Sequence, residues 1–597
     1  MMSYKAPLKD IQFLLNKVFN AEEKFASMSL SEELNEDLVK AILEEAGKIA
    51  EELLYPINQA GDKEGCGFDS GEVSTPQGFK KVYKDYIKGG WSGLTGDLDY
   101  GGQGMPKVIS AVIEEMFFSA NSSFCLYTVL TTGAALTINE HASEELKATY
   151  LPKLYQGIWS GTMCLTESHA GTDLGMIHTK AVPSKDGTYS LSGTKIFITA
   201  GEHDLTENIV HLVLAKLPDA PPGPKGISLF LVPKYLLNTD GGIGERNNVS
   251  CGSIETKMGI KASATCVLNF DEATGFLVGE LNNGLSNLFT MMNYERLSMG
   301  LQGNGLAESS YQIASAYASQ RLQGRAASGP EFVEKAADPI LVHPDVRRML
   351  LTMKSNILAG RALSLYSAFH LDTSRMNPNK KIRERSEKLI SLLVPVQKAY
   401  CSDKGFEACV IGQQVLGGHG YVSEWGLEQN VRDSRIAQIY EGANGIQALD
   451  LAGRKTVRTK GAQLTLLMEE MDIFISANND KMEMKLYLKK LSDIKSLLVE
   501  MTTLVIKNGS NNPHEIGAAS YSYMELMGLT LYCFMWQKII LSAIESKNSG
   551  QGDDAYYDGL IGVGNFFFDK LLPRSISLAE EIRAGASSLM NVNFEQF

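Results

Sequence analysis

Near Trp159 the spacing of apolar residues changes from a helical period of about 3.6 to an alternation of 2, and after Gly284 it changes back. That double switch fixes the order of the chain as helical, then β, then helical. Residues 190–199, 209–215 and 226–233 read as strands, separated by loops rich in Gly, Pro and Asp such as 218–224. They place a β domain of short strands at about 159–280.

Before it, the chain from Lys9 to about Gln156 is mainly helical. Leu34, Leu38, Ile42 and Ala46 recur at helical spacing with Glu and Lys between them, and glycine loops at 89–91 and 100–104 interrupt the pattern. Residues 108–137 carry Ser119, Ala120, Ser122, Ser123, Gly133, Ala134 and Ala135. This predicts a helix pair that packs closely, against another helix or a flat ligand. After the β domain, 285–321, 345–371 and 386–416 read as long helices, with 324–344 as an inserted loop. Past Arg454 the composition shifts, and four further helices are predicted at 464–474, 482–506, 514–546 and 554–584. Loops at 508–513 and 548–552 join the last three. The expected domains are therefore 1–158, 159–280, 281–455 and 456–597, a mostly α, α+β chain with an additional helical extension.

The net charge of −13, from 56 Lys+Arg against 69 Asp+Glu, leaves no broad basic face for a nucleic acid. Eight scattered cysteines with no C-x-x-C pair fit reduced, mostly buried thiols. The start, Met1 to Pro7 with Asp10 close behind, lacks the pattern of a secretory signal. The most apolar stretch, 526–536 between Glu525 and Lys538, falls short of the ~18 to 20 residues of a membrane span. It reads as a core helix, so a cytoplasmic protein without a transmembrane segment is expected. His169, His203 and His419 show neither H-E-x-x-H nor clustered ligand spacing, and no metal is expected.

The chemistry concentrates in a few segments. In Tyr440-Glu441-Gly442-Ala443-Asn444-Gly445, the glycines free the backbone to turn sharply and leave Glu441 at the turn. A carboxylate partly desolvated among Ile439, Tyr440, Ile446 and Leu449 gains a raised pKa and becomes a useful base. The same pattern also fits a solvated residue at a helix boundary. The segment 163–173, with Met163, Leu165 and Thr166, can offer hydroxyls and N–H groups to a heterocycle. Phe197 through Gly201 repeats the aromatic, hydroxyl and turn-glycine arrangement. Arg321 and 414–418 offer a cation and a glycine-rich helix end to phosphates. No Walker segment and no strand–G-x-G-x-x-G–helix unit is present, since Gly300, Gly303 and Gly305 fall inside a helix.

Taken in order, Cys164-Leu165-Thr166-Glu167 through Ala170-Gly171-Thr172-Asp173, Phe197-Ile198-Thr199, Arg296, Arg321, Gln414 through Gly420 and Tyr440-Glu441-Gly442 resemble the acyl-CoA dehydrogenase family. The resemblance covers about Glu32 to Lys455. The Arg321-Leu322-Gln323-Gly324-Arg325 form and the helical tail resemble its 3-methylmercaptopropionyl-CoA dehydrogenase subgroup. What this implies is a fold of an N-terminal helical domain, a β-barrel-like middle and a four-helix-bundle-like domain, here with the extension. It also implies α,β-dehydrogenation of an acyl-CoA to a trans-2-enoyl-CoA with FAD, and electrons passed to an electron-transfer flavoprotein. Glu441 would be the base, its backbone N–H and the flavin ribityl hydroxyl polarising the thioester. Met163, Leu165, Thr166, Phe197 and Thr199 match flavin-ring positions. Arg321, Gln414, Gly417 and Gly418 match positions that reach the FAD of a neighbouring subunit, implying a homo-oligomer. Thr172, Asn293, Arg296, Tyr440 and Gly442 fall on the substrate side.

The departures are Ala443 for Thr, Gly445 for Gln, Ser168-His169 for Pro-Gly and Asn293 for Asp. Glu295 stands where a minority of the family carries its base, and reads here as a helix-surface or ion-paired residue beside Arg296. An acyl-CoA oxidase that uses oxygen and a catalytically silent flavin- or CoA-binding scaffold are the alternative readings.

Overall fold

The computed structural model describes residues 4–30, 34–550 and 552–597. Met1 to Ser3, Glu32 at the start of the family resemblance and Gln551 in the loop at 548–552 lie outside the described residues. The chain forms two compact units. One is Met1–Gly47, Ala111–Ser119 and Met299–Phe597; the other is Lys48–Ser110 and Ala120–Ser298.

The second unit holds the strands. A hairpin that the sequence reading missed, β1 (Gly67–Asp69) and β2 (Glu72–Ser74), precedes the rest. Then come β3 (Trp159–Cys164), β4 (Lys180–Pro183), β5 (Tyr189–Thr199), β6 (Asn208–Lys216) and β7 (Ile227–Pro233). After a small hairpin of β8 (Tyr235–Leu237) and β9 (Ile243–Arg246), β10 (Val249–Ile254) and β11 (Thr265–Leu277) complete the main sheet. Its pairings close on themselves: β11 pairs β5 and β7, β5 pairs β4, and β4 and β7 both pair β6. The ring of β11, β5, β4, β6 and β7 gives the barrel-like middle that the family resemblance implies, with β3 and β10 each paired on one side only. β6 and β7 lie between other strands and are buried almost throughout, which is why they read as unbroken apolar runs.

The first unit is helical. Gly284–Gln320 begins in the second unit and ends in this one, followed by Pro344–Met376 and Lys380–Val415. These three share a core of Ala307, Ala314, Tyr317, Leu350, Met353, Ile357, Ala408 and Val415. Gly300 and Gly303 let two of the helices touch backbone to backbone: a Cβ on Gly303 would stand 2.7 Å from Ser402 Cα, and one on Gly300 2.6 Å from the Gln397 carbonyl. The closely spaced glycines therefore serve helix packing.

The predicted helix pair at 108–137 is one run, Lys107–His141, kinked where Asn121 leaves helical geometry (φ −160°, ψ 91°). The Asn121 side chain accepts from the Phe124 N–H at 3.0 Å and restarts the helix. The predicted helix at 554–584 is broken at Leu572–Pro573: Asp554–Phe566 runs on through a π-helical turn at Phe567–Leu571, and Arg574–Ala584 starts after Pro573. Pro513–Asn548 is long and apolar enough to cross a membrane by length and composition, and 83% of its most apolar window is buried inside the protein.

Candidate active site

In the second unit, β3 ends at Cys164 and the chain crosses toward β5 through Leu165, Thr166 and Glu167. The Ile196 N–H donates to the Thr166 carbonyl at 2.9 Å. Lys195, with no exposed surface, donates to the Leu165 carbonyl at 2.9 Å and to Glu167 Oε1 at 2.8 Å. The Thr179 hydroxyl (2.6 Å) and the His178 N–H (2.7 Å) also donate to Glu167. Burial alone would push the Glu167 carboxyl up, but Lys195, Thr179 and His178 outweigh it and hold it at about 2. The loop is thus anchored by a buried ion pair whose loss from one side is costly.

Opposite this loop the β11–β5 register slips. Leu268 faces Lys195 while Cys266 faces Ile198, so Ile196 and Phe197 stand against one residue, Val267. Phe197 takes φ +60° and its side chain is 59% exposed. Ala200 is also left-handed, at φ +54°. An aromatic residue in that region costs roughly 1–2 kcal/mol. The bulge leaves the Phe197 ring exposed, while Thr166, Thr199, Met163 and Leu165 in the two adjoining segments are each half-buried. An exposed ring, two hydroxyls and partly open apolar side chains make a surface suited to a planar heterocycle.

The first unit holds the turn that carries Glu441. Leu427–Arg435 and a short 3₁₀ turn lead to it, and Asn444–Leu449 follows. Glu441 sits at φ +56° and Gly442 at φ +82°. Lys398, with no exposed surface, donates to the Gly442 carbonyl at 2.9 Å and to Asn444 Oδ1 at 2.8 Å. The Gln447 amide donates to the carbonyls of Glu441 (3.3 Å) and Gly442 (3.2 Å). Tyr440 donates to Gln302 at 2.5 Å. Glu441 itself is half-buried. The apolar surround expected from sequence is not what holds it: Ile439, Ile446 and Leu449 are exposed. Strained backbone and a buried hydrogen-bonded frame fix the turn that carries it instead.

Glu295 is not the helix-surface residue that its sequence setting suggested. It has no exposed surface, and its carboxylate lies where a methyl on Gly133 would have to go. Arg296 is 9% exposed, its guanidinium 5.9 Å from the Phe289 ring centre. Thr172 and Asn293 are exposed in the same unit.

The phosphate candidates lie at one end of the first unit. Tyr317, one turn before Arg321, bonds to His419 at 2.9 Å, which brings the end of Gly284–Gln320 to Gly417–Tyr421. Arg321, Gln414, Gly417 and Gly418 are all exposed, and a Cβ on either glycine would meet nothing within 4 Å.

Four family models match in order. They are the acyl-CoA dehydrogenase N-terminal domain over 37–158, the middle domain over 162–273 and the C-terminal domain over 282–455, then an "acetyl-CoA dehydrogenase C-terminal like" domain over 467–593. A 3-methylmercaptopropionyl-CoA dehydrogenase of Ruegeria pomeroyi is 38% identical over 99% of this chain and 100% of its own length. The chain belongs to the acyl-CoA dehydrogenase family. A butyryl-CoA dehydrogenase of Syntrophomonas wolfei is 32% identical over 100% of this chain and 99% of its own. The fold matches an acyl-CoA dehydrogenase of Bacillus anthracis solved with FAD, at a TM-score of 0.75 and 22% identity, covering 92% of this chain and 88% of that one.

This dehydrogenase is an oxidoreductase that uses FAD. The outward Phe197 ring leaves an aromatic face for the flavin, and exposed Arg321 with the unobstructed Gly417–Gly418 backbone leaves a cation and room for a pyrophosphate. Lys195, Lys398, Asn444 and Gln447 escaped the sequence reading, because each acts through a partner that only the fold supplies. So did a cluster of Glu167, His169 and His178, whose ligand-type atoms lie within 4.8 Å of one another. The two imidazole centres lie 3.9 Å apart with 33° between their planes, and His169 Nε2 is 3.0 Å from the Met176 carbonyl oxygen.

Proposed function

We propose that this dehydrogenase removes the α and β hydrogens of a short acyl-CoA, with Glu441 as the base, and that a thioether acyl-CoA such as 3-methylmercaptopropionyl-CoA is among its substrates. One observation carries the assignment: Glu441 is a half-buried carboxylate at φ +56° on a turn framed by Lys398 and Gln447. Glu295, walled in against Gly133, has no surface to offer. Ground-state strain at Glu441 is the kind that a site keeps when geometry matters more than stability.

The α-proton of a thioester is too weakly acidic for a free carboxylate. The Glu441 N–H therefore donates to the thioester carbonyl while the Glu441 side chain takes the α-proton. Bound FAD supplies the acceptor for the β-hydrogen and its electron pair, leaving a trans-2-enoyl-CoA. Tyr440 and Gly442 line the turn on the substrate side, and Thr172, Asn293 and Arg296 hold the CoA moiety or order the base of the acyl pocket. Met163, Leu165, Thr166, Phe197 and Thr199 take the flavin ring, and Arg321, Gln414, Gly417 and Gly418 take the adenosine diphosphate of a second copy's FAD in a homo-oligomer. An electron-transfer flavoprotein reoxidises the enzyme. The division into domains at 158, 280 and 455 belongs to the same reading.

The relatives support the substrate class, since one is named for the thioether acyl-CoA and another for butyryl-CoA. The test is anaerobic bleaching of the flavin band by straight, branched and thioether acyl-CoAs, followed by the same reaction in air. Fast bleaching by the thioether and butyryl thioesters with little peroxide supports the proposal. Stoichiometric peroxide without an added acceptor would make the protein an oxidase.

A further inference from the structure

The helical region after residue 456 carries no motif of its own, yet one of its side chains reaches the frame of the Glu441 turn. Tyr521, on Pro513–Asn548, donates to Asp403 Oδ2 at 2.7 Å. The other oxygen, Asp403 Oδ1, accepts from Asn444 Nδ2 at 2.7 Å and from Gln438 Nε2 at 2.6 Å. Asn444 Oδ1 in turn accepts from Lys398, whose ammonium also holds the Gly442 carbonyl. Both residues flanking the turn, Gln438 before it and Asn444 after it, therefore converge on one carboxylate oxygen, and Tyr521 holds its partner oxygen.

The helix that bears Tyr521 is set down in register. Tyr521, Glu525, Gly528 and Tyr532 lie on one face, at i, i+4, i+7 and i+11. Glu525 pairs with Lys404 at 3.0 Å, the Tyr532 hydroxyl lies 3.5 Å from Cys401 Sγ, and Gly528 has no room for a methyl against the Tyr400 ring. All four act on 400–404 of Lys380–Val415, the helix that also supplies Lys398. The packing fixes Tyr521 over Asp403, and a phenol in that position is a charge-assisted donor that stops the carboxylate from rotating.

We propose that Tyr521 is a positioning residue for the reaction: through Asp403, Asn444 and Lys398, the C-terminal helical region holds the 441–444 turn in the conformation, left-handed at Glu441 and Gly442, that presents Glu441 to the substrate. The inference rests on the reading of Glu441 as the base. Its reach is the orientation of the carboxylate, with no contact to substrate or cofactor.

The test uses the FAD-loaded full-length protein with butyryl-CoA and 3-methylmercaptopropionyl-CoA as probes, comparing wild type with Tyr521→Phe, Lys398→Met and Glu441→Gln. Tyr521→Phe removes one hydroxyl. It is expected to slow the limiting rate of flavin reduction roughly three- to ten-fold, the scale of part of one charge-assisted hydrogen bond, with the apparent Kd for acyl-CoA, the FAD content and the thermal midpoint unchanged. Hydrogen exchange provides a readout apart from activity: peptides covering 438–447 should exchange faster in Tyr521→Phe, while those covering 189–199 should not. Lys398→Met should give a larger effect of the same kind, and if it fails to fold, Tyr521→Phe carries the test alone. Wild-type rate and exchange in Tyr521→Phe would overturn the inference, as would a slower rate accompanied by loss of FAD and of thermal stability, the pattern of a merely structural contact. If Glu441→Gln reduces its flavin at the wild-type rate, the base is misassigned and both proposals fall. If it is crippled while Tyr521→Phe is unaffected, only the present inference falls.

Discussion

Phe197 and Glu441 take left-handed backbone in which side chains other than glycine are strained, and both lie in segments that the sequence had marked for chemistry. Replacing Phe197 with glycine removes the strain together with the ring. The expected outcome is FAD binding weakened at least ~10-fold, with apoprotein stability equal or higher by up to roughly 1 kcal/mol. Equilibrium dialysis and thermal unfolding check the two halves, and unaltered FAD affinity would remove Phe197 from the flavin surface. The histidines of the β unit make a pH statement. His203 and His211 are buried, which holds both at about 3, well below the usual 6.5. The unfolded chain takes up protons below 6.5 that the folded one refuses. Stability is therefore lost as pH falls from about 6.5 toward 3, at roughly 1.4 kcal/mol per pH unit for each histidine. Urea unfolding at pH 7 and pH 5 should show the midpoint falling, and a midpoint that does not move would contradict it. Motif residues such as Thr166 and Glu441 were legible because their neighbours in sequence define them. The burial of Glu295 was not, because the Gly133 that walls it in lies on another helix.

Whole elements were the most legible part of the chain. Periodicity placed the 190–199, 209–215 and 226–233 strands and the long helices within a few residues, because burial is patterned along each whole element: β5 keeps a partly open face, while β6 and β7 are buried almost throughout and read as apolar runs. The kink at Asn121 and the break before Arg574 were not visible, since a local side chain or a single proline decides them. Nor was the buried charge network that ties five helices of the first unit. Arg361 meets Glu115 at 2.7 Å and Glu308 at 2.9 Å, while Asp10 accepts from Lys354 at 2.6 Å and from Tyr556 at 2.8 Å. Burial pushes the Glu115 carboxyl up, with Arg361 opposing it, and the Arg361 guanidinium is held charged by its acidic neighbours against burial. Arg361→Met would leave Glu115 and Glu308 facing each other without their shared cation. A loss of about 3–5 kcal/mol is expected, read from the urea midpoint. A loss below about 1 kcal/mol would mean that the network is not needed to hold these helices.

At the scale of the whole chain, the order of helical, β and helical regions and the family itself were legible from the apolar period and from motifs strung from Cys164 to Gly442. The role of the region after residue 456 was not, because its contribution lies in the face that Pro513–Asn548 turns to Lys380–Val415, and a buried helix carries little pattern of its own. The assignment of Glu441 as base gives the strained turn and its buried frame a single purpose. Anaerobic stopped-flow reduction of the bound FAD by acyl-CoA, in wild type, Glu441→Gln and Glu295→Gln, tests it most directly. The account expects Glu441→Gln to keep its FAD and lose at least ~10³-fold in reduction rate, with Glu295→Gln within about ten-fold of wild type. A crippled Glu295→Gln beside an active Glu441→Gln would contradict it.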